Sequence, residues 1–419
     1  MQEQKSEQVD FEELMKVWQR SVDKMPDAVK GRVREALAKL QEMVLERRPP
    51  RIVVLGRRGA GKSSLINAIF GRRVAMIGPV VSMTGKSRWY SYRSPSGSLD
   101  ILDNRGLADR IRPETAEFDA AADEIRHALR EKVPDAILFL CKAKEVDAHI
   151  EADVTATLAL QKDTERLHGY KPPILGLVTQ VDEIDPKRVE PPYDHPRKRE
   201  QIDLACKTLE EAFAAQGCDL EKVLPVSAYA EYEDGKCVYS NAWNIDVLVH
   251  YLIEVLPQSA RLIMARTAHV KTVQRDLAQE VVKATTVVCS GIAAVPIPVA
   301  DAVPLTAAQI LMIVAIGFVS GRDLSKKTAG EFASAMGANV GAAFVFREIA
   351  RGLAKLIPGA GSVISSAVAG AATWALGQAA ILYFIDGASA EDAKLRMRRS
   401  RRQVEDGEVQ LPADTSAAS

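Results

Sequence analysis

Gly56-Arg57-Arg58-Gly59-Ala60-Gly61-Lys62-Ser63 fits the phosphate-loop pattern G-x-x-x-x-G-K-[ST] without a mismatch. No other stretch of the chain constrains the fold around it so strongly. The apolar run Ile52-Val53-Val54-Leu55 predicts a buried strand feeding the loop, and Ser64-Leu65-Ile66-Asn67-Ala68-Ile69-Phe70 predicts the helix leaving it. Glycines let the backbone wrap closely around an anion, so that successive N–H groups and the helix N-terminus point at phosphate oxygens. Arg58, Gly59, Ala60, Gly61, Lys62, Ser63 and Ser64 are the candidate phosphate contacts. Lys62 would reach the β- and γ-phosphates, and the Ser63 hydroxyl would ligate Mg²⁺. The loop implies a nucleoside triphosphate site.

At 419 residues the chain is too long for one compact core, and two or three domains are expected. Its 55 basic and 55 acidic residues balance, so charge gives no reason to expect a specific nucleic-acid partner. The polar start Met1-Gln2-Glu3-Gln4-Lys5 is not the start of a secretory signal. Five scattered cysteines without C-x-x-C spacing read as reduced thiols of an intracellular protein, and the histidines show no metal-ligand spacing.

Residues 1–49 carry apolar positions at helical spacing (Phe11, Leu14, Val17 and Trp18, then Val33, Leu37, Leu40 and Val44) and end at Pro49-Pro50. This helical arm could pack on the nucleotide domain or pair with another helix. Residues 50–256 alternate apolar runs with amphipathic stretches, the pattern of a parallel sheet covered by helices. Strands are expected at 51–55, 87–92, 98–103, 135–141, 173–179 and 222–227, and helices at 62–70, 114–131, 147–167, 196–215 and 242–256.

Within that region Leu99-Asp100-Ile101-Leu102-Asp103 is a strand ending in Asp103-Asn104-Arg105-Gly106. A carboxylate at that tip can hold Mg²⁺ through water, and the Gly106 N–H can meet a γ-phosphate. The strand Ile174–Thr179 is followed by Gln180-Val181-Asp182. The Asp182 carboxylate either accepts the N–H donors of a guanine ring or merely caps a strand-to-helix turn. Val226-Ser227-Ala228, after the strand Lys222–Pro225, would put a backbone amide near the same ring.

Together these segments resemble a translation-factor-class GTPase of the Era-like kind. The likeness covers residues 50–256: Gly56–Ser63 for the phosphate loop, Asp103–Gly106 for the second phosphate motif, and Thr179–Asp182 and Ser227–Ala228 for the base. The resemblance implies GTP/GDP and Mg²⁺ as ligands, with Ser63, Thr84 and Asp103 around the metal. It assigns Lys62, Thr84 and Gly106 to catalysis and Thr179, Gln180, Asp182, Ser227 and Ala228 to the base. Thr84, in Gly78–Thr84, is the switch threonine this implies, with Ser82 as its alternative.

Three departures stand out. Thr179-Gln180-Val181-Asp182 replaces N-K-x-D, which implies guanine selectivity with weaker affinity. Leu107 stands where water-orienting relatives carry Gln, which implies slow turnover. Gly59 stands where potassium-activated relatives carry Asn, so potassium-stimulated dimerisation is not implied. Arg105, Arg57 and Arg58 are cations available to the site, with surface salt partners as the other and favoured reading.

Residues 257–396 differ in character, with Leu356–Ile385 free of charge. Pro296-Ile297-Pro298-Val299-Ala300-Asp301, Gln309, Ile357–Ser362 and Thr373-Trp374-Ala375-Leu376-Gly377 resemble the hydrophobic YcjF-like C-terminal domain found fused to Era-like GTPases. The charge-free run exceeds the ~20 residues that span a bilayer. A basic cluster (Lys394, Arg396, Arg398, Arg399, Arg401 and Arg402) follows and could meet anionic lipid heads. Against a spanning pair, residues 320–355 would have to cross with six basic groups, which the positive-inside rule disfavours. Asp301 reads as a helix cap or a paired buried carboxylate.

The expected architecture is therefore α/β: a P-loop GTPase domain with a mostly parallel sheet (50–256), preceded by an N-terminal helical arm (1–49). It is followed by a hydrophobic all-α C-terminal domain (257–396) and a polar, disordered tail (397–419). The expected activity is a slow, Mg²⁺-dependent GTP switch read out by the helical domain, with self-association or an effector protein meeting residues 257–396. Two alternatives stand beside it: a dynamin-like or immunity-related type of GTPase inserting its C-terminal half in lipid, and a non-hydrolysing nucleotide-gated scaffold. The expected location is cytoplasmic, with a peripheral or integral place at the inner face of the membrane left open.

Overall fold

The computed structural model describes residues 18–20, 22–23, 25, 27–74, 76–79, 88–95, 97–103, 127–146, 150–233, 236–294, 303–338 and 366–412. The chain divides into two compact units, Arg48–Val270 on the one hand and Met1–Arg47 with Lys271–Ser419 on the other.

The first unit is built on a seven-stranded sheet. Its strands are β1 (Arg51–Gly56), β2 (Met76–Pro79), β3 (Arg88–Ser94), β4 (Gly97–Asp103), β5 (Ala136–Lys142), β6 (Ile174–Thr179) and β7 (Lys222–Pro225). They lie in the order β2-β3-β4-β1-β5-β6-β7. The stretch from β4 to β7 is parallel, and β3 and β2 add on antiparallel at the β4 edge. Strands covered on both faces must be apolar throughout, which is why Ile52–Leu55, Ala136–Leu140 and Ile174–Val178 read as unbroken apolar runs and are buried.

The helices α1 (Asp27–Leu40), α2 (Lys62–Phe70), α3 (Glu151–His168), α4 (Pro196–Ala214), α5 (Ile245–Val255) and α6 (Gln258–Ala268) follow in chain order. All but α1 belong to this unit. Because the chain leaves β4 and passes over β1 to make β5, the C-terminal ends of the strands flanking β1 open a crevice, the usual ligand position in such sheets.

All six expected strands are present to within a few residues, and the helices at 62–70, 196–215 and 242–256 appear as α2, α4 and α5. The described part of the helix expected at 114–131 is helical from residue 127 to 131, and α3 begins at Glu151 after the undescribed residues 147–149. Three strands had no signal in the sequence: β2 and the hairpin β8 (Ala230–Glu233) with β9 (Lys236–Ser240).

The unit also extends past residue 256, where the sequence suggested a boundary. Helix α6 packs on β4, α2 and α5, and the Ser259 carbonyl accepts the Arg48 N–H at 2.8 Å. The cause is its apolar face: Ala260, Leu262, Met264 and Ala265 are fully buried.

The second unit contains α1, α7 (Lys271–Ala293), α8 (Val303–Val319), α9 (Lys326–Ala335), α10 (Ser366–Phe384) and α11 (Ala390–Glu405). Helix α7 packs against α1, α8 and α10, and α10 also packs against α8 and α11. The N-terminal arm thus settles on the helical unit. Val33 of α1 sits against Gly291 of α7, where a Cβ would collide with it. Trp18 is buried and donates its indole N–H to the Pro304 carbonyl at 2.9 Å, and Lys39 pairs with Glu280 at 2.8 Å.

The small residues of α10 do bring helices close, since Gly370 faces Ser290 and Gly377 faces Val282 of α7. Gln309, buried on α8, donates to the Thr373 hydroxyl of α10 at 3.0 Å. The expected disordered tail needs correction: α11 continues to Glu405, and Leu411 is buried. An apolar anchor beyond a basic helix is enough to fold the chain back. Among the described residues one helix, Ser366–Phe384, is long and apolar enough to cross a membrane, and most of it is buried within the unit.

Candidate functional site: the phosphate loop and the base-side turns

The loop between β1 and α2 takes the conformation that its glycines require. Gly56, Gly59 and Gly61 have φ of 150°, 79° and 87°, values that residues with a Cβ adopt only under strain. A Cβ on Gly56 would also lie 2.6 Å from the Leu140 carbonyl oxygen of β5. Lys62 curls back over the loop and donates its ammonium to the Gly56 carbonyl at 2.5 Å and to the Arg57 carbonyl at 3.2 Å. Ser63 and Ser64 are exposed at the N-terminus of α2, where helix N–H groups and the helix dipole favour an anion. Cradle, ammonium and exposed hydroxyl fit a Mg²⁺-bound phosphate chain.

Arg57 forms an ion pair with Asp153 of α3 at 2.7 Å, the structural role expected for it. Arg58 is exposed.

Asp103 closes β4 with its backbone in register with Val54 of β1, which puts it beside the strand that feeds the loop. Its side chain lies outside the described residues, as do Ser82, Thr84, Arg105, Gly106 and Leu107.

The residues expected to contact the base come together at the ends of β6 and β7. Gln180 adopts a left-handed backbone conformation with φ 57°, and its side-chain amide donates to the Gly59 carbonyl at 2.6 Å. Thr179 is buried and donates its hydroxyl to the Cys141 carbonyl at 3.3 Å. Asp182 opens into the half-buried edge of the site, and the Ser227 hydroxyl donates to its Oδ1 at 3.0 Å. Ser227 is itself held in a backbone pairing with Trp243, and Asn244 donates its side-chain amide to the Pro225 carbonyl at 3.0 Å. Ala228 follows, half-buried. Segments 179–182 and 227–228, separate in sequence, thus form one small surface on which a carboxylate is fixed by a hydroxyl.

Beneath Asp182 lies a group with no sequence signal. Lys198, in the first turn of α4, is fully buried. It donates to the carbonyls of Asp182 and Ile184 at 2.9 Å each and to that of Pro186 at 3.5 Å. Its ammonium stands 4.6 Å from the centre of the Tyr193 ring, and Tyr193 meets Trp243 edge to face at 5.1 Å. In a run such as Pro196-Arg197-Lys198-Arg199 the lysine reads as one more surface charge. Pro191-Pro192-Tyr193 was visible only as an extended loop.

Residues 51–175 match the model of the 50S ribosome-binding GTPase family. The tRNA modification GTPase MnmE of Cupriavidus pinatubonensis is 28% identical over 151 residues, which are 36% of this chain and 30% of that protein. The chain therefore spans under a third of the length of that curated relative. Among solved structures, Era in complex with MgGDPNP and a segment of 16S ribosomal RNA is 20% identical, with 57% of this chain and 67% of that chain covered and a TM-score of 0.31. A structure from a study of the chloroplast translocon components atToc33 and psToc159 is 18% identical, with coverage of 56% and 93% and a TM-score of 0.35. The phosphate loop and strands β1 to β5 lie within the matched residues 51–175, and Arg48–Val270 has the fold of a P-loop GTPase domain, a mostly parallel sheet covered by helices with the phosphate loop after β1.

Proposed function

We propose that this chain is a Mg²⁺-dependent guanine-nucleotide switch that hydrolyses GTP slowly and whose helical unit reads the nucleotide state. One observation carries the reading: Asp182, fixed by Ser227, shares the strand-end edge with the phosphate loop, and Gln180 ties the two by its bond to Gly59. A carboxylate there accepts the ring and exocyclic N–H donors of guanine, an arrangement adenine does not offer. The loop amides and Lys62 would hold the phosphates. Ser63, Thr84 and Asp103 would hold Mg²⁺, which neutralises charge developing on the phosphate oxygens. Thr84 and Gly106 would be ordered by the γ-phosphate and released after hydrolysis. Leu107 offers no group to align the attacking water, which supports slow turnover.

The resemblance of the C-terminal half to the YcjF-like domain supports residues 257–396 as the part that meets an effector or a second copy. A second reading, attachment to an anionic membrane surface at the cytoplasmic face, draws on Arg398, Arg399 and Arg402, which are exposed on α11. Era is in complex with a segment of 16S ribosomal RNA, but the balanced charge of this chain gives no support for a nucleic-acid partner.

The test is equilibrium binding and turnover with GTP and ATP in parallel, with and without anionic liposomes. GTP should bind at least about tenfold tighter than ATP, and Lys62→Ala should abolish both. Equal affinities, or unchanged binding by Lys62→Ala, would overturn the site assignment. Co-sedimentation with the liposomes would support the membrane reading, and a chain left wholly in the supernatant would refute it.

A further inference from the structure

We infer that Lys198 is the positioning residue for base recognition: its ammonium gathers the carbonyls of the turn after Asp182 and thereby sets the Asp182 carboxylate against Ser227. The inference rests on the reading of Asp182 as the guanine contact and adds the residue that makes that contact selective.

An ammonium has three N–H donors and no acceptor. Here the three point at three carbonyls of one short segment, those of Asp182, Ile184 and Pro186. Such a segment would otherwise bury carbonyls without partners, and its shape would be weakly determined. The charge is not exposed to water at all, so the side chain is not a solvated helix residue that happens to lie close. Burial pulls the ammonium below the usual lysine range, while Asp182 and Asp185 push it back upward. The face of Tyr193 adds a further favourable contact for the cation.

The consequence concerns Asp182. Its main-chain carbonyl is held by Lys198 from below, and its carboxylate is held by Ser227 from the side. Guanine offers two parallel donors, the ring N1–H and the exocyclic amine, and both must meet one carboxylate. Bidentate contacts of this kind depend steeply on orientation. A carboxylate on a loosened turn would keep one bond and lose the pair. Lys198 therefore acts on the difference between guanine and hypoxanthine, which lacks the exocyclic amine, and not on phosphate binding.

The experiment uses the full chain and its Lys198→Met, Lys198→Arg and Asp182→Asn variants, measuring equilibrium affinities for GDP, IDP and XDP, with tripolyphosphate as a probe of the loop. Lys198→Met should lower the GDP-to-IDP affinity ratio about tenfold and leave tripolyphosphate binding unchanged. Lys198→Arg keeps the charge, but its planar fork cannot converge on three carbonyls as the ammonium does. It should lower the ratio about threefold, and it decides the matter if Lys198→Met does not fold. A structural role alone would weaken GDP and IDP equally, and an unchanged ratio in the folded variant overturns the inference. Asp182→Asn tests the underlying reading separately. A shift toward XDP keeps Asp182 as the base reader whatever Lys198 does, whereas no shift removes that reading and the inference with it.

Discussion

Gln180 donates its side-chain amide to the Gly59 carbonyl at 2.6 Å, joining the base-side turn to the phosphate loop across 121 positions of sequence. The contact stands where the sequence reading found a loss, since Gln180 replaces the lysine of N-K-x-D. Gln180→Ala should therefore weaken GDP and tripolyphosphate by similar factors, about five- to tenfold for one hydrogen bond of this kind. Isothermal titration with both ligands checks it. A loss confined to GDP would mean that Gln180 acts on the base and not on the loop.

Gly377 poses a contest between backbone preference and packing. Alanine is favoured over glycine inside a helix by about 1 kcal/mol. Its Cβ at position 377, however, would lie 2.5 and 2.6 Å from the two methyl carbons of Val282. A β-branched side chain in a helix has one preferred rotamer and cannot swing away. Overpacking of this sort costs about 1–3 kcal/mol, so Gly377→Ala should be destabilising on balance. Hydrogen exchange across α10 should speed up in the variant, and Val282→Ala in the same background should reverse most of the effect.

Asp135 secures the entry to β1. It accepts two bonds from the Arg48 guanidinium at 2.6 and 2.7 Å and one from the Arg51 N–H at 2.8 Å, with only 4% of its side chain exposed. Removing the acceptor of three partly buried bonds should cost about 2–4 kcal/mol. Urea denaturation of Asp135→Ala should show a midpoint shift with unchanged slope.

The thiols should separate by burial. Cys289 is buried among the helices, and burial pushes its thiol up to about 12; Cys206 is likewise pushed up to about 12, while Cys237 is exposed. The thiolate is the reactive form, so iodoacetamide at pH 8 should label Cys237 long before Cys206 or Cys289. Linkage has a definite sign here. The unfolded chain releases these protons near 9 and the folded chain only near 12. Their contribution is complete below pH 9 and is lost as pH rises from 9 through 12. Mass-spectrometric labelling at stepped pH checks the order.

What the sequence determined by itself was local. The phosphate loop was legible because a tight anion cradle needs glycine at fixed offsets and a lysine beside a hydroxyl. Strands β1, β5 and β6 were legible because doubly covered strands are apolar at every position. The order of Asp103, Asp182 and Ser227 followed from strands ending where the crevice opens.

Other features depended on distance in three dimensions. Lys198 and Gln180 look like ordinary polar residues until the fold places carbonyls within reach of their donors. Helix α6 looked like part of the hydrophobic half until its apolar face met β4. The N-terminal arm carried a helical stripe that any apolar partner could cover, and the fit of Val33 against Gly291, with the Trp18 bond to Pro304 and the Lys39–Glu280 pair, assigned it to the helical unit. Periodicity says that a face is apolar; complementary shape and the pairing of buried polar groups decide what covers it.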